Sequence, residues 1–151
     1  VNRKCQVLPF EVRVRNARLN PRDTILTNAE RLSALAGGGT NCSAPLRWLN
    51  DRRTAPDLVV FVSDNQSWVD AGGGRQSTAM MTEWAALKRR NPQAKLVCID
   101  IAPYGTTQAQ TRPDVLNIGG FSDAVFDRIA DFAKGRSGSE HWVQEIEKID
   151  L

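Results

Sequence analysis

No apolar run in the 151 residues approaches the roughly 20 needed to cross a bilayer, and residues 1–10 show no signal-peptide pattern. The expectation is therefore a cytoplasmic chain with no membrane contact. Cysteine is scarce: Cys5, Cys42 and Cys98 are odd in number, widely spaced and free of any Cys-x-x-Cys pair. That excludes a disulfide framework or a cysteine-based zinc ribbon and predicts free thiols in a reducing compartment. His141 is the only histidine, far along the chain beside Trp142, and neither Ser63 nor Ser67 has an obvious activating partner. Without a base or an activated nucleophile, catalysis has little support, and the chain is expected not to be an enzyme. Charge of one sign is also wanting: the net +3 is spread over short basic groups, Arg13 with Arg15, Arg52–Arg53 and Lys88–Arg90, which alternate with acidic residues. A solvated surface is the first reading of such groups, and an RNA-contacting face is the alternative.

The hydrophobic residues that are present fall into two patterns. Residues 57–63 and 95–101 are continuously apolar (Leu58-Val-Val-Phe-Val62; Leu96-Val-Cys-Ile99), as expected of parallel strands covered on both faces. Residues 5–15, with Val7, Phe10, Val12 and Val14, read as a further strand with an irregular entry at Pro9, and residues 115–118 as a short edge strand. Between them lie helical spacings. One helix is expected to start near Thr27, with Glu30 completing a capping box and Leu32, Leu35 and Ala36 on its inner face. A second covers residues 44–52, with Pro45 in its first turn and Leu46 and Leu49 inward. A third covers 77–90 around Met80, Trp84 and Leu87. A fourth is capped by Ser122, with Val125, Phe126, Ile129 and Phe132 inward. The last, amphipathic, occupies 136–151. Strands alternating with such helices imply an α/β, Rossmann-like domain, a mostly parallel sheet with helices on both faces. Residues 1–135 would form the domain and 136–151 a separate C-terminal helix.

Ligands of open parallel sheets bind beyond the carboxyl ends of the strands. Two polar clusters are expected there: Ser63-Asp64-Asn65, and Thr40-Asn41-Cys42-Ser43 at the start of a helix. Hydroxyls and a carboxylate suit a hard divalent cation, which takes oxygen ligands. The plainer alternative is that Thr40 or Ser43 caps a helix and Asp64 ends a strand. Asp100 ends the strand 95–101 and faces the same crevice or anchors a loop. Gly37-Gly38-Gly39-Thr40 offers a weaker phosphate-cradle reading, because it lacks the lysine of a P-loop and follows a helix.

The stretches at residues 36–46 (AGGGTNCSAPL), 57–65 (DLVVFVSDN) and 95–101 (KLVCIDI), in this order, resemble the von Willebrand factor A module of Ro (TROVE) RNA-binding proteins. The segments Pro103-Tyr-Gly-Thr-Thr-Gln108 and Gly119-Gly-Phe-Ser-Asp123 fit the bacterial and phage members. The resemblance implies a von Willebrand factor A fold with a metal-ion-dependent adhesion site. Its parts are an Asp-x-Ser-x-Ser loop after the first strand, a threonine and an aspartate. Thr40 matches the threonine and Asp64 the aspartate, with Ser63, Asn65 and Ser43 as supporting groups; the implied ion is Mg²⁺ or another divalent cation. No Asp-x-Ser-x-Ser occurs in the sequence, so the fold is expected to be N-terminally incomplete, with residues 1–6 ending the helix that follows that loop. The missing strand would lie between residues 5–15 and 57–62, leaving both with unpaired backbone groups. The implied partners are a polypeptide that supplies this strand, a protein bound at the metal-site face, and RNA held indirectly through a Ro-like ring. The leading reading is thus a non-enzymatic interaction module of an RNA quality-control ribonucleoprotein. The alternatives are an RNA-contacting subunit and, last, a nucleotide-binding α/β enzyme.

Overall fold

The computed structural model describes residues 5–35, 37, 39–63, 76–101, 109 and 112–135. Its elements are α1 (Ile25–Ser33), α2 (Ala44–Asp51), β1 (Leu58–Ser63), α3 (Gln76–Lys88), β2 (Lys95–Asp100), β3 (Val115–Gly119) and α4 (Ala124–Ala133). The chain divides into two compact units, one of residues Val1–Ala55 with Gln66–Pro92, the other of Pro56–Asn65 with Gln93–Leu151. The expected C-terminal helix lies outside the described residues.

The second unit carries the sheet. Its three strands run parallel in the order β1-β2-β3, with Val60 opposite Val97 and Val97 opposite Leu116. Register partners on parallel strands point to the same face, so Val97, Ile99, Leu116 and Ile118 share one side. Val125 and Phe132 of α4 pack on that side, with Ile129 and Leu58 at its margin. Burying four such side chains stabilises the unit by about 1.5–3 kcal/mol each before entropy is counted. The central strand β2 is buried from Leu96 to Asp100, as its apolar run predicts.

β1 departs from that prediction. Phe61 and Ser63 are buried, but Val60 and Val62 are 43% and 52% exposed. Both share the α4 face with Val97 and Ile99, and α4 covers β2 and β3 without reaching them. Among the described residues β1 pairs only with β2, which makes it an edge. Phe126 is the corresponding miss on α4: it lies 59% exposed and meets Phe121 edge to face, centroids 5.8 Å apart. The N-cap position of α4 is Asp123 and not Ser122, and the Asp123 side chain makes no capping bond; the Ser122 carbonyl accepts from Val125 N at 3.0 Å.

In the first unit, residues 5–15 form no strand. Pro9 and Arg15 are drawn together by the bond from Arg15 N to Pro9 O (2.7 Å), and Phe10 and Val14 form a lone antiparallel bridge. The segment reverses on itself instead of extending, and no expected helix covers Cys5 or Gln6. The cap of α1 lies three residues before the expected one. Thr24 is the N-cap and accepts from Thr27 N (3.1 Å), after a turn in which Asn20 Oδ1 accepts from Arg22 N (3.0 Å). Nor is its apolar face inward: α1 has no buried residue and Leu32 is exposed, while Ala36 lies outside the described residues.

α2 and α3 pack as read. Pro45 sits in the first turn of α2, where its missing N–H costs nothing, and Leu46 and Leu49 are buried. Met80, Trp84 and Leu87 repeat at helical spacing and are buried on α3. Glu83 joins the helices, accepting from Arg47 Nε (3.2 Å) and, through its backbone carbonyl, from Asn50 Nδ2 (2.9 Å). Further along, Arg90 donates to Thr54 O at 3.2 and 3.1 Å. The near-constant offset between bonded positions means that α2 and α3 run side by side in the same direction.

Candidate functional site

The loop that delivers Thr40 is held by Asn41. Its Oδ1 accepts from Ser43 N (3.0 Å) and from Ser43 Oγ (2.8 Å), and both residues are buried. Asn41 N donates to Glu11 O (2.9 Å), and Ala44 N to Asn41 O (3.2 Å). Asparagine closes such turns readily because its short side chain reaches the backbone two residues on. The turn feeds directly into α2 at Ala44, leaving half-buried Thr40 at its outer end. Ser43 is the N-cap residue, but its hydroxyl makes no capping bond; it serves the turn. The organising residue is therefore Asn41, which sequence reasoning passed over, although an Asx turn before a proline-bearing helix was a readable signal.

Glu11 lies behind the same loop. Its Oε1 pairs with Arg15 Nε (3.0 Å), and its buried Oε2 has no partner among the described residues. The reversal at residues 9–15 thus brings the Glu11 backbone carbonyl to the Asn41 amide.

Ser63 ends β1 in the other unit. It stands opposite Asp100 in the parallel register, and Ser63 O accepts from Ile101 N (3.0 Å). Both side chains are largely buried and share one face at the carboxyl end of the sheet. Asp100 is also fixed through its backbone, its carbonyl accepting from Gly120 N (2.7 Å). Asp100 thus belongs beside Ser63 at the strand ends, as a position within the second unit. Asp64 and Asn65 lie outside the described residues, as does His141.

Of the expected metal-site residues, those described offer neutral oxygens: the Thr40 and Ser43 hydroxyls in the first unit and the Ser63 hydroxyl in the second. Among the described residues no group of three or more His, Cys, Asp and Glu side chains gathers as a metal cluster. Such oxygens fit a hard cation in kind, and the described carboxylate in register with Ser63 is Asp100. The loop 37–40 leaves a helix, α1, and not a strand, which matches the weak standing of the phosphate-cradle reading.

The family model of the Ro60 vWA domain matches residues 1–133. The chain belongs to this family. A relative is the RNA-binding protein RO60 of Deinococcus radiodurans, 27% identical over 126 residues, which are 83% of this chain and 23% of the relative. The crystal structure of the Deinococcus radiodurans RO (RSR) protein superposes with a TM-score of 0.66 at 23% identity, over 83% of this chain and 25% of that one. The second comparison establishes the fold: an α/β architecture of the Ro60 vWA type around a parallel sheet. The chain spans about a quarter of the length of these relatives. Among the described residues no helix is long and apolar enough to cross a membrane.

Proposed function

We propose that this Ro60 vWA domain is a non-enzymatic interaction module of an RNA-handling ribonucleoprotein, working in the cytoplasm. Thr40 and Asp64 hold a divalent cation, Mg²⁺ or a similar ion, with Ser43, Ser63 and Asn65 in support. The cation supplies a Lewis-acidic anchor for a partner carboxylate. The observation that supports the reading is the Asn41–Ser43 turn, which lies between Thr40 and α2 and is closed by two buried bonds. A loop held this firmly loses little entropy when its hydroxyl meets a ligand.

The edge of β1, which among the described residues pairs with β2 alone, gives the reading its second part. An edge strand offers a row of backbone donors and acceptors, and Val60 and Val62 add an exposed apolar strip beside α4. A polypeptide strand pairing there satisfies the backbone and covers both valines. The RNA context is taken from the relative described as an RNA-binding protein, and the metal-site face proposed here is not the part that grips RNA.

The test is calorimetric. A fusion placing an Asp-x-Ser-x-Ser strand before Val1 is expected to bind Mn²⁺, and Asp64→Ala in that fusion to abolish the heat. Equal Mn²⁺ affinity in the two proteins would overturn the cation site.

A further inference from the structure

Two basic tracts that lie 36 residues apart in sequence meet in the first unit. Arg52 and Arg53 follow α2, and Lys88, Arg89 and Arg90 end α3. Because the helices run side by side in one direction, both C-terminal ends arrive together. The bonds from the Arg90 guanidinium to Thr54 O fix the junction, since Thr54 adjoins Arg53 and Arg90 adjoins Arg89. Arg52, Arg53, Lys88, Arg89 and Arg90 are thereby carried to one junction, and Glu83 on α3 is already paired with Arg47.

Cations at helix C-termini often do no more than satisfy carbonyls and offset the helix dipole. Arg90 and Lys88 fit that role: Arg90 donates to Ala86 O and Thr54 O, and Lys88 to Pro92 O. Arg52, Arg53 and Arg89 do not. All three are exposed, and among the described residues their side chains make no hydrogen bond or ion pair. Arg53 also has φ of +52°, the left-handed position after a helix where glycine is the usual occupant. The backbone gains nothing from an arginine there, so its charge calls for another explanation.

We propose that the joined ends of α2 and α3 form a patch that binds the phosphates of single-stranded RNA through Arg52, Arg53 and Arg89. Trp48 selects RNA over an acidic protein. The Arg52 guanidinium lies over its indole ring, 3.8 Å from the centroid, and forms a flat cationic platform. Such a plane stacks on a nucleobase, whereas a carboxylate gains little from it. This surface is separate from the cation site at Thr40 and does not depend on it.

The experiment uses the whole chain and a fluorescein-labelled, mixed-sequence 20-nucleotide RNA, read by anisotropy at 50 and 200 mM KCl. Three neutralised phosphates on a single strand give a slope near −2 in log affinity against log salt, hence a loss of roughly twentyfold between these concentrations. Combining Arg52→Gln, Arg53→Gly and Arg89→Gln is expected to reduce that loss to about threefold or less, the contribution of the remaining cations. Arg53→Gly alone is expected to weaken binding severalfold without lowering Tm, because glycine suits that backbone position. EDTA should leave the RNA affinity unchanged, which separates this surface from the cation site. Unaltered RNA affinity in the triple variant, or binding insensitive to salt, would overturn the proposal. Binding of a poly-glutamate peptide that RNA fails to displace would also overturn it, in favour of an acidic protein.

Discussion

Replacing Asn41 by alanine removes the single acceptor that serves both Ser43 N and Ser43 Oγ. Ser43 is fully buried, so water cannot take the acceptor's place at the amide. A buried donor that loses its acceptor costs about 1–3 kcal/mol, and the net value of a second, hydroxyl bond is about 1 kcal/mol. The expected destabilisation is thus ~2–4 kcal/mol. For a chain of this length that lowers Tm by roughly 4–16 °C. Ser43→Ala deletes only the hydroxyl and should cost about 1 kcal/mol. Thermal and urea unfolding followed by circular dichroism measure both variants, and the comparison between them carries the reasoning. If Ser43→Ala costs as much as Asn41→Ala, or if Asn41→Ala is neutral, the turn is not held by the asparagine and Thr40 is not pre-positioned by it.

The remaining predictions concern packing and surface. Trp84→Ala, at a fully buried position on α3, should cost ~3–5 kcal/mol in urea unfolding, and a cost below 1 kcal/mol would mean that α3 is not packed as described. A double-mutant cycle of Phe121→Ala and Phe126→Ala should give a coupling near 0.5 kcal/mol, the low end for an edge-to-face pair because both rings are exposed. Val60→Lys should leave stability within about 0.5 kcal/mol, as its side chain faces solvent, yet weaken capture of any strand that docks on β1. Hydrogen exchange of the β1 amides, with and without that strand, distinguishes the two effects.

The sequence made α2, α3 and the three strands themselves legible, because each rests on a pattern internal to the element. Pro45 opens α2, Trp84 and Leu87 repeat on α3, and the run around Leu96–Ile99 has the length of a strand. What it did not reveal is neighbourhood. Residues 58–62 and 96–99 are equally apolar, yet only β2 is central; β1 stands at an edge, so Val60 and Val62 are exposed. Phe126 and Leu32 fail for the same reason: helical spacing defines a face but not what lies against it. At residues 5–15 local chemistry overrode β-propensity. Arg15 N bonds back to Pro9 O, and the Glu11–Arg15 ion pair spans the reversal. On the site itself, the alternation of hydroxyls around Thr40 was readable, whereas the dependence of that loop on Asn41 needed the geometry.

The two proposed surfaces occupy opposite ends of one short helix. α2 has eight residues, about 12 Å along its axis at 1.5 Å per residue, with the Thr40 loop before it and Arg52–Arg53 after it. Its middle is pinned by buried Leu46 and Leu49 and by the bonds of Arg47 and Asn50 to Glu83, so neither end can shift without disturbing α3. The electrostatics of the ends differ. The N-terminus of a helix carries partial positive charge, which opposes a cation near Thr40, so any ion held there needs a negatively charged ligand. The C-terminal ends of α2 and α3 carry partial negative charge; Arg90 donates to Ala86 O in the last turn of α3 and to Thr54 O just past α2, whereas Arg52, Arg53 and Arg89 keep their charges for a ligand. Salt therefore acts on the two ends unequally. Screening by 200 mM KCl should weaken RNA held by exposed arginines far more than a cation held by direct oxygen ligands. Parallel titrations of Mn²⁺ into the fusion and RNA into the whole chain, each across the salt series, should separate along that line. Equal salt slopes for both ligands would mean that one diffuse field, and not two built surfaces, governs what this domain binds.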